Sequence, residues 1–126
     1  MRSTALHILR IGLGITFLWI GVLIFINPAA WGGFIQPWAL SLLPIPLSQV
    51  MFATALMDIL VGGLLLVDIL TWLAALVASA HLIIVLTASG ITDVTVRDIG
   101  LVAGAAALFV ESLPPCILQK LPWIKK

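Results

Sequence analysis

Residues 51–88 read MFATALMDILVGGLLLVDILTWLAALVASAHLIIVLTA, and only Asp58, Asp68 and His81 interrupt the hydrocarbon. One straight helix of that length would extend about 57 Å at 1.5 Å per residue, whereas a bilayer core needs only about 20 residues. The segment must therefore turn once, and Asp68 near its middle marks the place. The result is a helical hairpin with Asp58 and His81 at similar depth on its two arms, both well inside the membrane. An ionisable side chain at that depth is costly and is a functional candidate by default.

Composition extends the same reading to the whole chain. Of 126 residues, 63% are hydrophobic and 9% charged. Soluble domains carry about 25% charged residues and about 45–50% apolar ones. This chain cannot cover a water-facing surface, so it is expected to be one all-α integral membrane domain. The net charge of +1 favours no acidic partner, and no basic patch suggests a nucleic acid. The lone Cys116 excludes an internal disulfide and a paired-thiol redox motif.

Four spans are expected, over residues 5–26, 48–67, 71–89 and 98–113. Proline disfavours helical geometry in the residue before it, so Asn27-Pro28 ends the first span. Arg2 and Arg10 ahead of an apolar run resemble a secretory leader. The length of the run and the poor cleavage site at Asn27-Pro28-Ala29-Ala30 favour a retained span. Residues 27–47 carry four prolines, two tryptophans and no charge. They read as an interfacial connection with Trp31 and Trp38 among headgroups, or as a lid over a pocket. Thr71 is a candidate N-cap for the third span. Pro114-Pro115 stops the fourth, leaving a tail, residues 114–126, suited to anionic lipid.

Four spans put both termini on one side. Arg2, Arg10, Lys120, Lys125 and Lys126 then share that side, and Arg97 alone lies on the other. The excess of basic residues makes the shared side cytoplasmic, in a multi-pass protein of the plasma (inner) membrane. The hairpin turn at Asp68 is then cytoplasmic too.

The polar residues within the spans are the candidate site. Asp58 has Thr54, Ala55 and Gly62 on its helix face, and small neighbours permit close helix contact. His81 shares a face with Ala74, Ala78 and Ala88. A carboxyl–imidazole pair in an apolar interior either fixes the hairpin register or holds a mobile proton or a ligand. Glu111 lies roughly 20 Å along the fourth helix from Asp98. At that depth it is expected to pair with Arg10; alternatively Arg10 serves an anion or a quinone headgroup. Arg97 is expected to reach Asp93 or the Asn27 region, and Asp98 suits the first turn of a helix. No His, Cys and Asp cluster has metal-ligand spacing, and His81 alone is a thin basis for a haem. There is no nucleophile–His–acid arrangement and no phosphate-binding loop.

The segments RIGLGITFLWIGVLIF (residues 10–25), LMDILVGGLLLVDILTWLAAL (56–76) and TVRDIGLVAGAAAL (95–108) occur in an order that resembles the DoxX-like family of small four-helix membrane proteins. Members usually carry Glu where this chain has Asp58. Many also carry Lys near the end of the first span, where residues 22–26 have none. The resemblance implies a four-helix bundle and a lean toward redox processes, with a quinone as the implied small molecule. One branch resembles the small subunit of thiosulfate:quinone oxidoreductase. Three functions follow: an accessory subunit binding a protein partner, a second copy of itself or a lipophilic molecule; a subunit of a quinone-linked sulfur oxidoreductase; or a small proton-coupled transporter.

Overall fold

The computed structural model describes residues 3–121 and 123, and every element among them is a helix. In chain order they are α1 (Thr4–Ile26), α2 (Pro28–Gly32), α3 (Pro37–Ser41), α4 (Leu47–Val67), α5 (Thr71–Ser89), α6 (Arg97–Ser112) and α7 (Pro115–Leu118). The helices α1, α4 and α5 are long and apolar enough to cross a membrane. At 16 residues α6 is shorter, and it packs against α5 and α1.

The most extensive packing joins α1 to α4, and glycine is the reason. A methyl group built on Gly62 would stand 2.5 Å from the Leu18 amide nitrogen and 2.8 Å from the Gly14 carbonyl oxygen. Gly21 approaches Ala55 and Ile59 almost as closely. The backbones of the two helices touch, as small residues at a membrane helix interface allow. The seven-residue spacing of Gly14 and Gly21 is therefore a contact face.

The hairpin turn falls where Asp68 places it. Asp68 (φ 61°) and Leu70 (φ 49°) both adopt the left-handed region, which is unusual for residues with a Cβ. The Thr71 hydroxyl donates to Asp68 Oδ1 at 2.6 Å, tying the two sides of the turn together. Thr71 is thus the first residue of α5 rather than its N-cap, a position occupied by Leu70.

Arg10 closes this end of the molecule. It is buried, and its Nη1 donates to the carbonyl oxygens of Leu65 and Leu66 in the last turn of α4. These carbonyls have no partner within their own helix, and a cation there also complements the helix dipole. Arg10 Nε lies 3.7 Å from Asp68 Oδ1. The expected ion pair with Glu111 is replaced by this one: α1 and α4 are backbone neighbours, so the Arg10 side chain meets the end of α4 first. Around this clamp the core is dense. Leu13, Phe17, Val61, Leu65, Ala74, Ala75, Ala78, Leu82, Ala105 and Leu108 form one buried cluster drawn from four helices.

The connection over 27–47 has more order than an interfacial loop requires. Asn27 caps α2 by accepting from the Ala30 amide, and prolines open both α2 and α3. The Gln36 amide donates to Ala88 O at 3.0 Å, pinning the connection to the end of α5. Trp31 turns inward, packing against the cluster of Ile24, Met51 and Ala55. Trp38 stays half exposed. Arg2, Lys125 and Lys126, which carry much of the expected charge asymmetry, lie outside the described residues.

Candidate functional site

The two ends of the helix assembly differ. At the end opposite the Asp68 turn, α1, α4, α5 and α6 enclose a cavity of about 220 Å³. The lining residues nearest the Asp68 end of each helix are Thr16 and Phe17 (α1), Asp58 (α4), His81 (α5) and Leu101 (α6). From there the walls run through Ile20 and Ile24, Thr54 and Met51, Val85 and Ala88, toward Thr95, Arg97 and Asp98. The roof is the 27–47 connection, through Trp31, Phe34, Ile35, Ala39 and Leu43. Of the two readings of that segment, the lid describes its position.

Asp58 and His81 do meet. His81 Nε2 lies 3.7 Å from Asp58 Oδ1, with their side chains 16% and 5% exposed. That distance is within ion-pair range and beyond a hydrogen bond. Asp58 Oδ1 is accordingly buried with no hydrogen-bond partner. Leaving a buried acceptor unmatched costs about 1–3 kcal/mol, so native structures seldom do so without a compensating role. Ala55 and Gly62, on the Asp58 side of α4, lie against α1 and are almost inaccessible, so Asp58 sits in a stretch of α4 held close to α1 on both sides.

Nothing else in the inner cavity competes for the carboxyl. The hydroxyls of Thr16 and Thr54 donate back to Gly12 O and Val50 O of their own helices, each at 2.9 Å. The remaining inner walls are hydrocarbon. At the outer end Thr95 Oγ1 donates to Gly90 O at 2.6 Å and accepts from the Thr92 amide at 2.8 Å. These bonds shape the α5–α6 connection into a fixed wall.

The expected site residues divide accordingly. Asp58, His81 and Arg97 line one cavity, with Arg97 exposed at its mouth beside Asp98. Among the described residues no ion pair joins Arg97 to Asp93, and α6 opens without a side-chain cap. Arg10 belongs to the packed end, where its Nη1 donates to the α4 carbonyls, and it does not line this cavity. Glu111 sits half-buried in the last turn of α6, away from the cavity lining. Among the described residues no three His, Cys, Asp or Glu side chains converge as a metal would require.

Sequence reasoning missed Phe34, Ile35, Ala39, Leu43, Ser89 and Thr95 as lining residues. The absence of charge from 27–47 was the available signal for the lid. Ser89 and Thr95 carried none, since each is a common helix-end or turn residue.

Comparison of the chain with models of known protein families, with curated proteins and with solved structures yields no match. The likeness to the DoxX-like family rests on the three segments quoted above.

Proposed function

We propose that this chain is a four-span membrane protein with both termini cytoplasmic. In this reading it holds a lipophilic small molecule in the lidded cavity and acts as a binding or accessory subunit, without turnover of its own. The observation that carries it is the apolar cavity ending on a buried carboxyl with an unmatched oxygen. Small-molecule sites are concave and mostly apolar, with a few placed polar groups. An accessory role fits because the ionisable groups at the inner end are one carboxyl and one imidazole, beside two hydroxyls bonded to their own helices. They comprise no nucleophile, no metal cluster and no second acid. A quinone-type ligand, and with it a redox partner protein, is the extension suggested by the DoxX-like resemblance.

The fourth span in this reading is α6, shortened by Pro114 and continued by α7 into the interface. The lipid-facing surface is supplied by side chains such as Ile8, Ile15, Trp19, Leu60 and Ile84, all more than half exposed. The DoxX-like resemblance supports the four-span reading.

Two experiments test the proposal. Cys116 is the only cysteine and is exposed. A membrane-impermeant maleimide is expected to label it in inverted vesicles and not in intact cells; labelling of intact cells would reverse the orientation. Gentle purification followed by native mass spectrometry is expected to find a lipophilic adduct with the protein. A ligand-free spectrum from native membranes would contradict the binding role.

A further inference from the structure

We propose that the inner end of the cavity selects a neutral hydroxyl donor: a lipophilic molecule whose O–H donates to Asp58 Oδ1. For a ligand of the quinone type, this means the reduced hydroquinone rather than the oxidised quinone. The inference rests on the reading of the cavity as a binding site and adds the chemistry of the head it takes.

Three observations carry it. First, Asp58 Oδ1 is an acceptor without a donor, buried on the α4 wall of the cavity. A carboxylate oxygen accepts and does not donate. The complementary ligand atom therefore bears a hydrogen. A ligand presenting only carbonyl oxygens would set acceptor against acceptor there.

Second, no protein donor is free to fill the role. The Thr16 and Thr54 hydroxyls are engaged with their own helices. His81 Nε2 stops at 3.7 Å, close enough to offset charge and too far to donate.

Third, the donor should be neutral. His81 already stands beside the carboxyl as its basic neighbour, and the rest of the inner wall includes Phe17, Ile20, Leu82 and Leu101. An ammonium head would bring a positive charge into hydrocarbon, with the Arg97 guanidinium on the same lining. A hydroxyl supplies the hydrogen bond without that desolvation cost.

The test compares two ligands with the same apolar body and opposite heads, tert-butylhydroquinone and tert-butylbenzoquinone. Each is titrated calorimetrically under nitrogen into the full-length protein in detergent. The wild-type protein should bind the hydroquinone at least about tenfold more tightly, the lower range for a hydrogen bond to a charged group. Asp58→Leu should erase that preference by weakening the hydroquinone alone. Should Asp58→Leu fail to fold, Asp58→Asn keeps the shape and removes the charge, and the preference should shrink severalfold. Equal affinity, or tighter quinone binding, in the wild-type protein would overturn the donor selection while leaving the cavity as a site. Binding of neither ligand, or binding unchanged in Ala88→Phe, which fills the cavity wall, would overturn the underlying reading as well.

Discussion

Arg10 and Asp58 are both ionisable and both buried, yet the structure treats them oppositely. Arg10 lies at the packed end, where its guanidinium donates to two orphan carbonyls of α4 and stands beside Asp68. Its Nε also lacks a hydrogen-bond partner, but Arg10 does not line the cavity that Asp58 lines. Asp58 lines the cavity, with an unmatched oxygen and open space beside it. Burial by itself therefore does not mark a functional residue. What separates the two is whether the polar group's partners come from the protein or must come from elsewhere.

The contrast can be tested by substitution. The largest effect is expected at the contact that holds the packed end together. Gly62→Val would drive a branched side chain into the α1 backbone, and overpacking of a tight contact costs about 1–3 kcal/mol or more. Because the obstacle is the Leu18 amide and not a mobile side chain, loss of folded protein is expected, read as aggregation on size-exclusion chromatography.

Arg10→Ala should come next. It strands the α4 carbonyls and the neighbour of Asp68, and breaking a buried charged contact costs about 3–5 kcal/mol. The cost here should fall at the lower end, because the Asp68 side chain is 30% exposed. Thermal unfolding in detergent checks it, and any ligand affinity of the folded fraction should be unchanged.

Asp58→Leu should behave in the opposite way. Asp58 Oδ1 has no hydrogen bond to lose, and a hydrocarbon side chain removes the cost of burying an unmatched acceptor. Unfolding is expected within about 1 kcal/mol of wild type or later, while ligand binding is lost.

The smallest effect is expected at the lid latch. Gly90 has φ 73°, and a Cβ there would meet the Gln36 amide nitrogen Nε2 at 2.5 Å. Gly90→Ala should cost about 1 kcal/mol and speed hydrogen exchange over 31–43 while leaving α1 and α4 protected. Uniform exchange across the chain would show that lid and packed end are one cooperative unit.

Much of this was legible from residue order. The apolar run 51–88 required a turn, and Asp68 marked it, because a polar residue between two spans can only sit at an interface. The glycines of α1 at spacing seven announced a contact face. Depth alone brought Asp58 and His81 level, although depth does not fix helix rotation. The partner of Arg10 was not legible. It depends on which helix α1 touches most closely, and the Gly14–Gly62 approach that decides this is a tertiary fact. Nor was the inward turn of Trp31, since an uncharged, proline-broken segment suits a headgroup layer and a lid equally well by composition. The cavity itself is an absence of side chains between helices, which no local pattern records.

The most direct test of the central claim is thermal unfolding of the wild-type protein and Asp58→Leu, each with and without tert-butylhydroquinone. The account predicts that the ligand raises the wild-type midpoint and leaves that of Asp58→Leu unmoved, while the unliganded variant unfolds no earlier than wild type. An Asp58→Leu protein that unfolds several degrees early and is still stabilised by the ligand would contradict it. The carboxyl would then be a structural partner of His81, and the ligand would lie elsewhere.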